Sequence, residues 1–118
     1  PMKSILLVDD SATLRMSMSG VLEKAGFVVR LAVDGREGYE ALQAAKPDLV
    51  ITDLNMPNMD GIQLIAAARK LPTLRFVPML MLTTESEAAK RAEAKAAGAT
   101  GWLVKPVATD ALLQVIRQ

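Results

Sequence analysis

Short apolar runs alternate with amphipathic segments along the whole chain. Apolar residues recur at helical spacing between the runs and after the last one, which is typical of amphipathic helices. Runs that are apolar throughout, rather than alternating with polar residues, are typical of strands in a parallel sheet with both faces covered. The pattern therefore predicts one α/β domain over residues 1–118, a five-stranded parallel sheet with helices on both faces. The predicted strands are Ser4–Val8, Phe27–Ala32, Leu49–Thr52, Val77–Leu82 and Gly101–Val104.

The predicted helices differ in how firmly their side chains would hold them to the sheet. In the fourth, the positions expected to face inward are all alanines, which favour the helix but bury little apolar area. We therefore expect this helix to be locally stable and lightly anchored. Asp60 is a candidate N-cap of the third helix and Thr109 of the fifth. The predicted helices cover Ser11–Ala25, Gly35–Ala45, a segment from Gly61 to about Leu71, Ser86–Ala97 and a segment from Thr109; the inward alanines are Ala88, Ala89, Ala92 and Ala96.

Polar side chains follow four of the five predicted strands directly. Asp9 and Asp10 follow the first strand, Asp53 follows the third, Thr83 the fourth and Lys105 the fifth. The carboxyl ends of parallel strands share one edge of the sheet, where such folds bind ligands. Like charges close together are costly unless a cation neutralises them, and Mg²⁺ prefers oxygen ligands. The sequence therefore predicts a Mg²⁺ site formed by Asp9, Asp10 and Asp53.

The same residues suit phosphoryl transfer to a carboxylate. A carboxylate can attack phosphorus and form an aspartyl-phosphate, and the transferring oxygens then need electrophiles beside them. The Lys105 ammonium and the Thr83 hydroxyl can fill that role. Taken alone, each residue has an ordinary interpretation, as a helix cap, a surface lysine or a β-branched strand residue. Their convergence after separate strands favours a site in which Asp53 accepts a phosphoryl group.

Composition excludes several other functions. The chain has no histidine and no cysteine, which excludes a phosphohistidine, a His general base, thiolate catalysis, disulfides and a typical zinc site. A net charge of +1 gives no reason to expect nucleic acid or a membrane surface as partner. No apolar run is long enough to span a bilayer and no signal-peptide pattern is present, so a cytoplasmic location is expected.

With Asp9-Asp10, Asp53, Thr83 and Lys105-Pro106 in this order and spacing, the whole chain resembles the receiver domain of two-component response regulators. The stretch from Asp53 to Gly61 is especially similar to the single-domain, chemotaxis-type (CheY-like) members. The resemblance implies a flavodoxin-like (βα)₅ fold with strand order 2-1-3-4-5.

The resemblance also implies a role for each site residue. Asp53 would receive its phosphoryl group from a phosphohistidine of a partner histidine kinase and would help to bind Mg²⁺. Asp10 would ligate Mg²⁺ directly and Asp9 through water, with the backbone carbonyl of Asn55 as another ligand. Such a protein is a phosphoacceptor that promotes its own phosphorylation and dephosphorylation rather than a turnover enzyme.

Residues of the last third of the chain would sense and report the phosphoryl group. Lys105 would pair with it, helped by a cis peptide bond before Pro106, and Thr83 would move toward it. Trp102 stands where the family usually has a smaller aromatic residue that turns inward with the threonine. Thr84 would narrow access to the site, and Glu85 would act with Asn55 to modulate hydrolysis.

The expected output is binding of a protein partner by a monomer. The face formed by residues 86–118 would present Lys90, Arg91, Lys95 and Trp102 to a flagellar motor switch component or a kinase. No DNA-binding module follows within the sequence, which favours a stand-alone regulator over the alternative, the receiver of a longer, perhaps DNA-binding, regulator. A haloacid-dehalogenase-type phosphatase is a third alternative, but it needs an Asp general acid two residues after the nucleophile, where this chain has Asn55. A flavodoxin would have a glycine- and hydroxyl-rich phosphate loop in place of Asp9-Asp10.

Overall fold

The computed structural model describes residues Lys3–Arg117, except for the side chain of Glu85. Within that range the chain forms one parallel sheet of five strands in the order β2-β1-β3-β4-β5, as the family resemblance implied. None of the described helices combines the length and apolar character needed to cross a membrane. The strands are β1 (Ser4–Val8), β2 (Val28–Ala32), β3 (Leu49–Asp53), β4 (Met79–Thr83) and β5 (Gly101–Val104). The helices are α1 (Ala12–Lys24), α2 (Gly35–Ala44), α3 (Gly61–Ala68), α4 (Arg91–Ala97) and α5 (Thr109–Ile116), with 3₁₀ helices at Pro72–Leu74 and Glu85–Lys90.

The core lies in two layers, one on each face of the sheet. Because successive strand residues point to opposite faces, Leu6 and Val8 of β1 join one apolar cluster while Ile5 and Leu7 join the other. The first cluster is closed by α2, α3 and α4, and the second by α1 and α5. This arrangement confirms the predicted sheet covered on both faces.

The strand register brings the predicted site residues to one edge. Val8, the last residue of β1, pairs with Thr52, so Asp9 and Asp53 follow neighbouring positions. Asp53 itself pairs with Leu82, and Thr83 pairs with Val104 just before Lys105. The predicted third and fourth strands ended one residue too early, since Asp53 and Thr83 are both the last residues of their strands. The carboxyl edge of the sheet is therefore polar at four adjacent strands, β1, β3, β4 and β5.

The structure corrects the predicted fourth helix in two ways. Its first part, Glu85–Lys90, is a 3₁₀ helix, and the α-helix begins only at Arg91. The alanines predicted to face inward are exposed, and Ala94 is the buried residue of α4 instead. In a run of alanines no bulky side chain marks one face, so the periodicity does not determine which face packs inward. The expectation of a lightly anchored helix holds, since Ala94 buries only a methyl group.

Helix ends follow local chemistry. Asp60 caps α3 as predicted, accepting a hydrogen bond from the Gln63 N–H while the Gln63 side chain accepts one from the Asp60 N–H. α4 ends at Gly98, whose φ of 119° is left-handed and unfavourable for other residues. The N-cap predicted for the fifth helix is wrong by one residue, because Ala108 occupies that position and Thr109 is the first helical residue.

Candidate functional site

Three carboxylates meet at the carboxyl edge of the sheet, as the sequence predicted. Asp9, Asp10 and Asp53 each offer an oxygen, and these oxygens lie within 4.8 Å of one another. Asp9 and Asp53 are buried while Asp10 is exposed, so the cluster opens to solvent on one side. Such a group of acidic oxygens suits a hard divalent cation.

Local hydrogen bonds fix Asp9, the first of the two aspartates after β1. The N–H of Ser11 donates to Asp9 Oδ1 at 2.8 Å, and the guanidinium of Arg15 donates to the Asp9 carbonyl oxygen. Ser11 also caps α1, because its hydroxyl accepts a hydrogen bond from the Leu14 N–H at 3.2 Å. The start of α1 thus holds Asp9 beside the other two carboxylates.

The first residue of α3 packs directly against the backbone of Asp53. A Cβ on Gly61, the first residue of that helix, would lie 2.2 Å from the Asp53 carbonyl oxygen and 2.8 Å from Met81 Sδ. Only glycine allows the helix to begin so close to the strand. The Gly61 N–H donates to the Leu54 carbonyl oxygen at 2.8 Å, which ties the loop after β3 to α3.

Lys105 brings one positive charge to the carboxylates. Its Nζ lies 2.9 Å from Asp53 Oδ1 and 3.4 Å from Asp9 Oδ2. Burial raises the pKa of Asp53 above its ordinary value, and the Asp9 charge adds to that effect while the hydrogen bond from Lys105 opposes it. For Lys105, burial works to lower the pKa, but the hydrogen bond and charge of Asp53 together with the Asp9 charge outweigh it and raise the pKa. The ammonium is therefore retained where acidic groups are in excess.

Two buried oxygens at this edge have no hydrogen-bond partner among the described residues. They are Asp9 Oδ2 and Thr83 Oγ1. Buried polar atoms are rarely left unpaired, and exceptions often mark a site for an ion or ligand. Among the described residues Asp9 Oδ2 has the Lys105 ammonium at 3.4 Å but no hydrogen bond, and a carboxylate oxygen so placed in an acidic cluster fits a divalent cation. The Thr83 hydroxyl at the end of β4 fits an anionic group bound beside it.

Glu87 crosses the gap between two of the strand ends, which sequence reasoning missed. One carboxylate oxygen accepts the Thr84 N–H at 2.7 Å, and the other accepts a hydrogen bond from the Asn55 amide. The amide of Asn55 is thus engaged by Glu87, and the predicted partner, the side chain of Glu85, lies outside the described residues. The signal was present, because Thr84-Glu85-Ser86-Glu87 fits the capping pattern of Ser or Thr followed three residues later by Glu.

Trp102 lies on the side of the sheet that faces α4. Because Trp102 pairs with Met81 on the adjacent parallel strand, the two side chains lie on the same face of the sheet, and Trp102 is 37% exposed. The Arg91 guanidinium stands over the indole ring at 5.4 Å, a cation–π contact that the sequence did not reveal.

Thr84 is half-buried, and the peptide bond between Lys105 and Pro106 is cis, as the resemblance implied. The exposed residues of the predicted output face include Lys90 and Lys95, while Arg91 is half-buried.

Comparisons with known proteins agree on one family. The family model described as the response regulator receiver domain matches residues 5–117. The structure superimposes on the chemotaxis response regulator CheY4 of Vibrio cholerae with a TM-score of 0.94 and 44% identity, covering 99% of this chain and 98% of that one. The chemotaxis protein CheY of Pseudomonas aeruginosa is 36% identical over 97% of this chain and 93% of its own length. The transcriptional regulatory protein PdtaR of Mycobacterium tuberculosis is also 36% identical over 97% of this chain, which spans only 55% of that protein.

Proposed function

Because the chain belongs to the response regulator receiver family, we propose that Asp53 accepts a phosphoryl group from a phosphohistidine of a histidine kinase. Receiver domains take phosphoryl groups from histidine kinases and act on output partners. The observation that carries the proposal for these residues is the placement of Lys105 Nζ 2.9 Å from Asp53 Oδ1 within a cluster of three carboxylates. An ammonium at that distance can pair with the carboxylate before transfer and with the attached phosphoryl group after it.

In the proposed step, a carboxylate oxygen of Asp53 attacks phosphorus in line with the phosphorus–nitrogen bond. A phosphorus–oxygen bond forms, the phosphorus–nitrogen bond breaks, and its electron pair returns to the imidazole, which takes a proton from water. Lys105 stabilises the charge on the transferring oxygens, and the unpaired Thr83 hydroxyl can donate a hydrogen bond to one of them. Thr83 is buried, and the half-buried Lys105 already contacts Asp53, which limits the reorganisation that the transfer requires of the lysine.

The residues that would hold Mg²⁺ are Asp9, Asp10, Asp53 and the backbone carbonyl of Asn55. A bound Mg²⁺ supplies positive charge that offsets both the three carboxylates and the phosphoryl oxygens. Asp9 Oδ2 supports this assignment because, among the described residues, it has no hydrogen bond and is approached by the Lys105 ammonium only to 3.4 Å, so a metal cation would be a natural further partner. Ser11 and Arg15 keep Asp9 in position for that contact.

The proposed output is a change in binding of a protein partner, in chemotaxis or motility. Support comes from the similarity to two chemotaxis regulators, each covered over nearly its whole length. The alternative, the receiver of a longer regulator, is supported by the match to PdtaR, of which the chain spans about half. The length of the encoded protein separates these two proposals. A haloacid-dehalogenase-type phosphatase remains the weaker alternative because Asn55 cannot act as a general acid.

The proposed chemistry is tested by intact mass spectrometry after incubation with acetyl phosphate or phosphoramidate and Mg²⁺. We expect a gain of one phosphoryl group that is absent in the Asp53→Asn variant and absent when the metal is chelated. A phosphorylated Asp53→Asn variant would disprove the assignment of the acceptor. Turnover of a generic phosphomonoester by the wild-type protein would instead favour the phosphatase.

A fluorescence titration tests whether Trp102 reports this state. We expect Mg²⁺ and then beryllofluoride, a phosphoryl mimic, to change the emission of the single tryptophan in two steps, neither of which occurs with Asp53→Asn. A change with Mg²⁺ alone would leave the metal site in place but would argue against Trp102 as a switch.

A further inference from the structure

Glu87 connects the two strand ends on which the phosphoryl chemistry would take place. Asn55 lies two residues after Asp53 in the loop that follows β3, and Thr84 directly follows Thr83 at the end of β4. The Glu87 carboxylate accepts hydrogen bonds from the amide of Asn55 and from the backbone N–H of Thr84. One side chain of the 3₁₀ helix Glu85–Lys90 therefore joins the loop that follows Asp53 to the loop that follows Thr83.

The bridge uses groups that an anion at Asp53 would attract. A phosphoryl group brings about −1.5 to −2 charges and three strong acceptor oxygens, which compete for nearby N–H donors. While Glu87 holds the Thr84 N–H, that donor is occupied. The Glu87 carboxylate is also a like charge near the phosphoryl group, and like charges close together raise the free energy of the charged state.

The attachment of the segment before α4 to the rest of the protein also depends on Glu87. Within α4 only Ala94 is fully buried, so apolar packing holds this helix weakly. Thr84 offers a further contact through its hydroxyl, which lies 2.8 Å from Ser86 Oγ, but this contact stays within the segment and does not reach β3. Among the described side-chain hydrogen bonds, the Asn55 contact is the one that joins the segment Glu85–Lys90 to the loop after β3.

We propose that Glu87 is a positioning residue that stabilises the arrangement of Asn55 and Thr84 without a phosphoryl group and opposes occupancy of the site by an anion. This inference rests on the proposed function of Asp53. It predicts that loss of the Glu87 carboxylate strengthens binding of a phosphoryl mimic, whereas a purely supportive role for the bridge predicts weaker binding.

The test is a calorimetric titration of beryllofluoride at saturating Mg²⁺ with the wild-type protein and the Glu87→Ala and Glu87→Gln variants. Loss of one hydrogen bond to a charged group corresponds to a change in affinity of about tenfold or more, so we expect Glu87→Ala to bind beryllofluoride about tenfold more tightly. Glu87→Gln can keep the bridge without the charge and should lie between the wild-type protein and Glu87→Ala. The matched control is Glu93→Ala, which removes an exposed carboxylate from the same region that pairs with Lys90 instead.

A second titration, of Mg²⁺ alone, separates positioning from a general loosening of the site. Removing a negative charge cannot strengthen cation binding, so the gain should appear for beryllofluoride and not for Mg²⁺. Unchanged or weaker beryllofluoride binding by Glu87→Ala, with the control equal to wild type, would overturn the inference. Absence of beryllofluoride binding by the wild-type protein itself would instead refute the proposed function, and Asp53→Asn provides the baseline for that outcome.

Discussion

The polar groups at the two ends of the sheet differ in burial and in pairing. At the amino end, Arg69 is half-buried and Thr100 is exposed. The Arg69 guanidinium donates to the Leu74 carbonyl oxygen at 2.7 Å and to the Gly98 carbonyl oxygen at 2.9 and 3.0 Å. The Thr100 hydroxyl there accepts the Met79 N–H at 3.0 Å. At the carboxyl end, Thr83 Oγ1 and Asp9 Oδ2 are buried and have no hydrogen-bond partner among the described residues, although Lys105 Nζ lies 3.4 Å from Asp9 Oδ2.

This difference separates a structural cluster from the candidate binding site within one sheet. The Arg69 guanidinium joins the turn after α3 to the end of α4, and its hydrogen-bond acceptors are groups of the protein itself. Buried polar atoms without partners cost free energy, and they persist where a ligand completes them. The contrast is therefore informative about function even though both clusters contain ordinary residue types.

Removing the guanidinium should have the largest effect on stability. We expect Arg69→Met to lower the free energy of unfolding by about 3 kcal/mol, because the carbonyls of Leu74 and Gly98 lose their donor. Urea denaturation followed by circular dichroism measures this change. Arg75→Ala is the control, since it removes an exposed arginine whose described contact is with the ring of the exposed Phe76. A loss below about 0.5 kcal/mol, the range of ordinary surface substitutions, would show that the amino-end cluster is not structural.

Supplying a cation should stabilise the opposite end. If Mg²⁺ binds the native carboxylates and not the unfolded chain, a concentration of 100 times the dissociation constant adds about 2.7 kcal/mol to the free energy of unfolding. Thermal unfolding with Mg²⁺ and with a chelator gives the difference. Asp10→Asn should lose most of this gain, while Arg69→Met should keep it. Equal gains in wild type and Asp10→Asn would place the cation elsewhere.

Neutralising the acceptor should stabilise the metal-free protein. Burial raises the pKa of Asp53, so its ionised form is disfavoured in the native state. The sign follows from linkage: a group with a raised native pKa gives its full contribution below its unfolded pKa and loses it as the pH rises through the native value. We expect Asp53→Asn to be more stable than wild type at neutral pH in chelator, because it removes a carboxylate that burial and the Asp9 charge disfavour, with the difference closing at low pH.

Denaturation of both proteins between about pH 3 and pH 7 tests this, the lower limit lying near the ordinary carboxyl pKa. A constant difference across the range would mean that the substitution acts through packing rather than through the charge.

Two matched hydroxyl deletions should give the smallest effects and the sharpest contrast. Thr83→Val removes a hydroxyl without a partner and should change stability by less than about 0.5 kcal/mol, or stabilise the protein slightly. Thr100→Val removes the acceptor of the Met79 N–H and should cost about 1 kcal/mol. Calorimetric melting of both variants measures the difference, and equal losses would contradict the assignment of Thr83 as an unpaired group.

The convergence of the candidate site residues could be predicted from the sequence because these residues lie at strand ends. Continuously apolar strands predicted the parallel sheet, and parallel strands bring Asp53, Thr83 and Lys105 to one edge whatever the details of packing. The inward face of the fourth helix could not be predicted, because alanines on every side leave the periodicity without a contrast. The Arg69 cluster could not be predicted either, since its acceptors are backbone carbonyls that only the tertiary fold brings near.

The close approach of Gly61 to Asp53 restricts how a signal can leave the site. Because no side chain fits between the start of α3 and the carbonyl oxygen of Asp53, β3 cannot retreat toward that helix when charge is added to its last residue. We therefore expect any displacement caused by the proposed phosphoryl group to be taken up on the other side, where β4 leads into a segment held by one carboxylate and one buried methyl group. A rigid support behind Asp53 would thus give the response a direction, and a larger residue at position 61 would force the strand or the helix to shift and so remove that support.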